Sequence, residues 1–267
     1  MGTFRKAIAV VLLATAGLVS DAMATSFSTD QSDAWAAQGE SGWGFLSFQR
    51  GSVIFGAIFV YDQTNTPIWY SATLFNTGNL VWSGDLYETT GPSFGAAFFN
   101  QNAVVYRKVG TMTWTATSVT TGQLRYDVDG VSVVKNMARQ FVVYDDFSGH
   151  FFGGVHQTVA GCANPAFNGT SEPVGTLNIT QNGQAITITN NPTSGAVCTF
   201  SGTLSQLGQM GAVQGTYTCN TADTGTFQIF EMQVNPNAVS GRFSLVSGNV
   251  AGCQASGYFG GMRISTF

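Results

Sequence analysis

Two dipeptides limit the fold of this chain more than any other feature. Asp129-Gly130 stands between Tyr126-Asp127-Val128 and Val131-Ser132-Val133, and Asn182-Gly183 stands between Leu177-Asn178-Ile179 and Ile186-Thr187-Ile188. Both dipeptides tolerate the positive φ angles of a two-residue turn, so flanked by alternating apolar residues they specify antiparallel hairpins. The remaining sequence agrees. Met112, Trp114 and Ala116 alternate with Thr111, Thr113, Thr115 and Thr117 at the period of a half-buried strand. From Gly42 to Tyr87, turn signals at residues 49–52, 62–66 and 76–79 divide four apolar segments. No segment carries an apolar stripe at helical spacing, and the expected fold class is all-β.

Composition narrows the function classes. Of 267 residues only 9% are charged, and the formal charge is −4. Such a chain lacks the charge density of a disordered segment or a coiled coil and the basic surface of a nucleic-acid binder. The 33 glycines and 13% aromatics suit strands and turns.

The first residues read as an export signal. Arg5 and Lys6 precede an apolar run from Ala7 to Val19, and Ala22-Met23-Ala24 supplies the small-x-small pattern at which such signals are cleaved. The expectation is a signal peptide over 1–24, with the mature chain periplasmic or extracellular. Its removal takes away two positive charges and one negative, moving the formal charge from −4 to −5. The apolar run is too short to span a bilayer of roughly 30 Å comfortably. Near the other terminus, Arg263 and Ser265 stand in phase with Phe267, against the sustained alternation of a membrane-inserted barrel.

A composition shift near residues 142–165 divides the mature chain. Trp35, Trp43, Trp69, Trp82 and Trp114 precede it, and Cys162, Cys198, Cys219 and Cys253 follow it. Two modules are expected, a Trp-rich β domain over 27–143 and a disulfide-containing β domain over 144–267, each an antiparallel barrel or sandwich. Four cysteines allow three connectivities. Folding the segments 198–204 and 213–219 about their turn sets Cys198 opposite Cys219, within disulfide reach. Cys162 and Cys253 are left to join the module's start to its end, as barrel closure requires. The glycine-rich runs 149–154 and 257–261 look like paired strands at those two ends. A zinc site would need closely spaced Cys pairs, which are absent from the sequence.

The turns of the first module assign faces. Pairing Phe48 with Val53, Tyr61 with Ile68 and Phe75 with Leu80 puts Leu46, Phe48, Phe55, Phe59, Tyr61, Tyr70, Ala72 and Leu74 on one side, read as the core. The other side carries Trp43, Phe45, Ile54, Gly56, Ile58, Trp69, Ser71, Thr73 and Trp82, mixing aromatics with hydroxyls and glycine. That mixture can stack on sugar rings or line a cavity for a small apolar molecule. The competing reading buries these aromatics as packing. The candidate ligand residues are therefore Trp43, Trp69, Trp82, Ser71 and Thr73.

Catalytic patterns are scarce. His150 and His156 share a strand face if extended, although Gly153-Gly154 is expected to break the strand between them. Asp145 and Asp146 precede His150 without a nucleophile elbow. Glu40, Asp62, Asp85 and Glu88 fall near strand ends, where turn chemistry and solvation account for carboxylates. No catalytic residue, metal site or cofactor is indicated.

One resemblance completes the reading. Glu40-Ser41-Gly42-Trp43-Gly44, Tyr61-Asp62 and Pro67-Ile68-Trp69-Tyr70, with Cys198, Gly215-Thr216-Tyr217, Cys219 and Gly260-Gly261-Met262-Arg263 further on, are similar to a motif set of uncharacterised secreted β-rich proteobacterial proteins. The resemblance implies secretion and fold, and no reaction. The expected function is non-enzymatic binding of a glycan or small apolar ligand on the Trp-bearing face. The alternative is a structural or protein-interaction module at the cell surface, with a carboxylate-dependent hydrolase as a third class.

Overall fold

The computed structural model describes residues 30–265; the expected signal peptide and Phe267 lie outside the described residues. The chain is all-β, with two closed antiparallel barrels in succession. The first comprises β1 (Asp33–Ala37), β2 (Gly44–Arg50), β3 (Val53–Tyr61), β4 (Pro67–Gly78), β5 (Val81–Thr90), β6 (Val105–Ala116), β7 (Thr121–Val128) and β8 (Val131–Arg139). Each strand pairs with the next, and β1 closes on β8 with Trp35 opposite Arg139. The second comprises β9 (Gly149–Ala160), β10 (Gly169–Ser171), β11 (Val174–Asn182), β12 (Ala185–Pro192), β13 (Cys198–Leu207), β14 (Met210–Cys219), β15 (Thr224–Asn235), β16 (Ala238–Ser247) and β17 (Gln254–Ser265). It closes through β9 and β17, where Gly154 faces Gly260 and Gly153 faces Gly261. A Cβ on Gly153 would lie 1.9 Å from the Gly260 carbonyl oxygen, so the resemblance of the two glycine-rich runs reflects strands that approach each other closely.

The first barrel is filled. Trp35, Phe45, Trp82, Met112 and Trp114 are buried inside it. The Trp114 ring centre lies 4.5 Å from that of Trp35 and 5.3 Å from that of Phe45. Eight strands enclose a space of nearly fixed width, so a large inward side chain must meet a small one. A Cβ on Gly56 would lie 2.7 Å from the Phe45 ring, and one on Gly122 would lie 2.2 Å from the Trp114 ring. Gln31 caps this cluster by accepting from the Trp114 indole N–H through its side chain at 3.1 Å and from the Trp35 indole through its carbonyl at 3.2 Å.

This interior corrects the face assignment. Phe45, Ile54 and Ile58, expected on the ligand face, are core, whereas Leu46, Phe48, Phe55, Phe59 and Tyr61, expected in the core, are exposed on the outside. The mixture of large aromatics and glycine marks a packed barrel interior. The β3–β4 register also differs by one residue, with Tyr61 opposite Pro67 instead of Ile68. The cause is a tight loop: Asp62 Oδ1 accepts from the Thr64 and Thr66 backbone N–H groups at 2.8 and 2.9 Å, and the Asp62 N–H donates to the Thr66 carbonyl. A one-residue slip exchanges the faces of a strand. Tyr70, Ala72 and Leu74 therefore join Phe45 and Ile54 inside, and Trp69, Ser71 and Thr73 point out.

Both disulfides are formed, Cys198–Cys219 across β13 and β14 and Cys162–Cys253 across the barrel closure. Their sequence separations are 21 and 91 residues. In the chain-entropy account, loops of that size destabilise the unfolded state by about 3 and about 4.5 kcal/mol. Two disulfides fit an oxidising compartment, and no helix among the described residues is long and apolar enough to cross a membrane.

A buried ionic node joins the barrels. Arg139, its side chain fully buried, donates to Asp33 Oδ2 at 2.8 Å and to the carbonyls of Val119, Ser32 and Asp30, and it lies 4.6 Å from the Trp35 ring centre. From the β13–β14 turn, the Gln209 N–H donates to the same Asp33 oxygen at 3.0 Å and its side chain to the Ser32 carbonyl. Gly208 makes the approach possible: its φ is +57°, and a Cβ there would lie 2.1 Å from Asp33 Oδ2.

Candidate ligand-binding site

The residues expected on one ligand face are dispersed. Trp82 is fully buried in the first barrel. Trp69 is exposed on the outer wall, where it pairs with Phe59. Trp43 lies half-buried against the core, its indole N–H donating to Glu40 at 3.0 Å and its ring under the Lys135 ammonium. Ser71 and Thr73 do come together, in an outer groove of about 530 Å³ with Phe55, Phe75, Tyr87 and Tyr106. The carboxylates considered for hydrolysis each have a separate task. Glu40 pairs with Lys135, Asp85 with Lys108 and Glu88 with Arg107, while Asp62 closes its loop.

The histidines stand on an unbroken β9, contrary to the expected break, because the glycines pair with β17 instead of ending the strand. His150 bonds Asn178 at 2.7 Å and His156 bonds Glu172 at 2.8 Å. Among the described residues no group of three or more His, Cys, Asp or Glu side chains could hold a metal ion.

The second barrel differs from the first in being closed at one end and open at the other. At the end facing the first barrel, Phe147 from the 140–148 connection packs inside with Phe151, Ile179, Val213 and Met232, all fully buried. The Phe147 N–H donates to Gln181 at 2.9 Å, and a Cβ on Gly211 would meet the Phe147 ring at 2.8 Å. Arg263 lies over the Phe151 ring and donates to the Ser148 carbonyl at 2.7 Å. This end is plugged.

Towards the disulfides the inward positions become smaller or more polar. They carry Val155, Gln157 and Val159 on β9, Asn190 and Pro192 on β12, Phe200 on β13, Leu245 and Ser247 on β16 and Ala255 on β17. An open cavity of about 670 Å³ results, and both disulfides contribute to its wall. Beneath it, a further 70 Å³ or so lies among Leu177, Ile188, Phe227, Ile229, Phe243 and Phe259. The wall is incomplete on one side: β11 meets β12 only up to Gly175 and Pro192, while β10 continues beside β9 beyond the Glu172-Pro173 kink. An eight-stranded barrel can be filled by its side chains or can leave room inside; here the first barrel is filled and the second has an open cavity.

The rim has a fixed polar network. Asp223 accepts from the Tyr217 hydroxyl at 3.0 Å and from the Ser247 hydroxyl at 2.7 Å. Burial, and next the carboxylate acceptor, push the Tyr217 phenol up to about 12. It remains a neutral donor at physiological pH. Gln157 donates to Ser171 at 3.0 Å, and its amide and that of Asn190 border the apolar depth. A guest here would meet hydrocarbon and aromatic surface below and hydrogen-bonding groups above.

No known protein family matches the chain, and no curated protein matches it at a significant level. The geometry alone carries the reading of function. Sequence reasoning missed Phe200, Tyr217, Asp223, Asn190 and Leu245, and a signal for them was present. Towards the cysteines the inward positions include Gln157, Asn190, Pro192, Ser247 and Ala255 among the apolar ones, whereas at the opposite ends Phe151, Ile179, Ile186, Val213 and Met232 are all large and apolar.

Proposed function

We propose that the protein is a secreted, non-enzymatic binding protein that takes a small, largely apolar molecule into the mouth of its second barrel. The observation that carries this reading is the contrast between two barrels of one chain: the first is filled by three tryptophans, and the second leaves about 670 Å³ open above an apolar floor. That volume lies within the range of small-molecule sites. The plugged end and the disulfide-braced rim suit a cup that keeps its shape when empty, which limits the ordering cost of binding. This reading places the ligand in the second module, whereas the sequence pattern pointed to the first.

The distribution of tryptophan supplies the test. All five tryptophans precede residue 115, so Phe200→Trp places a reporter in a barrel otherwise without one. Its emission, read against that of the parent protein, should change saturably with N-phenyl-1-naphthylamine, a neutral apolar probe, whose own fluorescence should rise. Unchanged emission together with no probe enhancement by the parent protein would refute the reading.

A second reading, contact with a cell-surface protein, is favoured by one observation. Phe94, Phe98 and Phe99 in the β5–β6 loop are 107%, 90% and 70% exposed, and Phe48, Phe55 and Phe75 are exposed on the outer wall of the same barrel. Exposed aromatics in that number mark an interaction surface.

A further inference from the structure

We propose that the second barrel selects a cationic guest, an aryl or alkyl ammonium whose apolar body enters the cup and whose charged head stays at the rim. This rests on the cup being a binding site, and it adds the class of molecule bound.

The charges that reach the mouth decide which class of guest it favours. The charged residues of its wall are Glu172 and Asp223, and none of the described residues lining it is Lys, Arg or His. Arg263 is at the plugged end, where it holds the Ser148 carbonyl. Arg242 pairs with Glu231 at 3.5 Å on the outer side of β15 and β16. His156 faces outward, stacked 4.8 Å from Tyr258 and bonded to Glu172. His156 reaches Glu172 from outside, and no other basic residue pairs with the two carboxylates, so Asp223 keeps the field at the opening negative, and a low-dielectric wall concentrates such a field.

Asp223 is built to receive a cation. Two hydroxyls, from Tyr217 and Ser247, already donate to it and fix its orientation. A carboxylate has about four acceptor positions, so two donors leave room for an ammonium. Phe200 and Tyr217 stand beside it with ring centres 5.5 Å apart, and Phe167 lies on the same wall. Aromatic faces attract a cation that has lost part of its water. A fatty acid or another anion would instead bring like charge to Asp223, which has no basic partner on the wall.

The test compares three molecules of nearly equal body and different head, 1-naphthylmethylammonium, 1-naphthylmethanol and 1-naphthoate, as competitors of N-phenyl-1-naphthylamine on the intact protein. A charge-assisted hydrogen bond predicts that the ammonium outcompetes the alcohol by about tenfold and the carboxylate by more. Asp223→Asn retains an acceptor for Tyr217 and should bring the ammonium down to the affinity of the alcohol. Raising the salt concentration should weaken the ammonium and leave the alcohol unchanged. Equal binding of ammonium and carboxylate, or an undiminished ammonium preference in Asp223→Asn protein that still binds the neutral probe, would overturn the inference while leaving the cup a binding site. Failure of the neutral probe itself would instead overturn the reading beneath it.

Discussion

Replacing Trp114 by Ala and, separately, Phe200 by Ala tests whether one barrel is full and the other hollow. Trp114 is fully buried, packed at tilted ring angles between Trp35 and Phe45 and against Gly122, with its indole N–H bonded to Gln31. Truncation leaves a sealed cavity and removes a donor from a buried amide. The cavity costs roughly 3–5 kcal/mol and the lost hydrogen bond about 1 kcal/mol more. For a barrel of about a hundred residues, a loss of roughly 4–6 kcal/mol lowers the melting temperature by roughly 20–30 °C. Phe200 also has ring neighbours, Tyr217 and Phe227 at 5.5 and 5.2 Å, but it borders a space already open to water. Its removal enlarges that space without creating a sealed void, so the cost should be about 1–2 kcal/mol. Tryptophan emission reports the first barrel, and calorimetry follows both transitions. A Trp114→Ala loss smaller than about 2 kcal/mol, or no larger than that of Phe200→Ala, would refute the contrast and remove the main support for the cup.

Two further predictions concern the junction and the rim. Gly208→Ala should destabilise more than Gly183→Ala: both glycines have positive φ, +57° and +59°, but only at Gly208 would the new Cβ collide with Asp33 and Arg139. The excess should be about 1–3 kcal/mol in urea unfolding, and equal losses would mean that the inter-barrel node is loose. Tyr217 holds its proton in the folded protein up to about 12, against an ordinary value of 10.0. The folded state therefore binds more protons than the unfolded chain between these values. Stability should be intact below pH 10 and fall as the pH rises through 12. The phenolate absorbance difference between parent and Tyr217→Phe should titrate near 12, and a midpoint near 10 would show an unburied phenol.

The sequence carried different parts of this architecture with different clarity. Hairpins were legible because a turn is local: Asp129 and Gly130 both adopt positive φ between Val128 and Val131, and Gly183 does so in a turn that lies one residue later than expected, Gly183-Gln184 between Asn182 and Ala185. The disulfide pairing was legible for a related reason, since the turn between β13 and β14 fixes Cys198 opposite Cys219 and leaves one pair. Inside and outside were not legible in β2 and β3. Both of their faces are apolar, and the choice between Phe45 and Phe48 depends on which side meets Trp114 across the barrel, information that no local pattern contains. The β3–β4 register turned on a single loop whose closure by Asp62 changed its parity.

The second barrel shows why a binding cup is harder to read than a core. A core announces itself by large apolar residues at alternate positions, as at Trp114 and Met112. A cup is written in what those positions lack. Ile186 and Ile188 are followed inward by Asn190 and Pro192, and Phe243 by Leu245 and Ser247, so the apolar alternation weakens along each strand in the same direction. On one strand that weakening resembles ordinary fraying at an end. Only when antiparallel pairing brings the weak ends of β9, β12, β16 and β17 together does it become a cavity, with both disulfides stationed there. Peripheral bracing of that kind is of little use to a solid barrel. It matters to one whose rim has no packed interior to hold it, because the strand ends must keep their spacing by covalent and hydrogen-bonded links where side-chain packing is missing. Tyr217, Asp223 and Ser247 supply the hydrogen-bonded link at the same rim. The structure that keeps the mouth open thus also presents it with an oriented carboxylate.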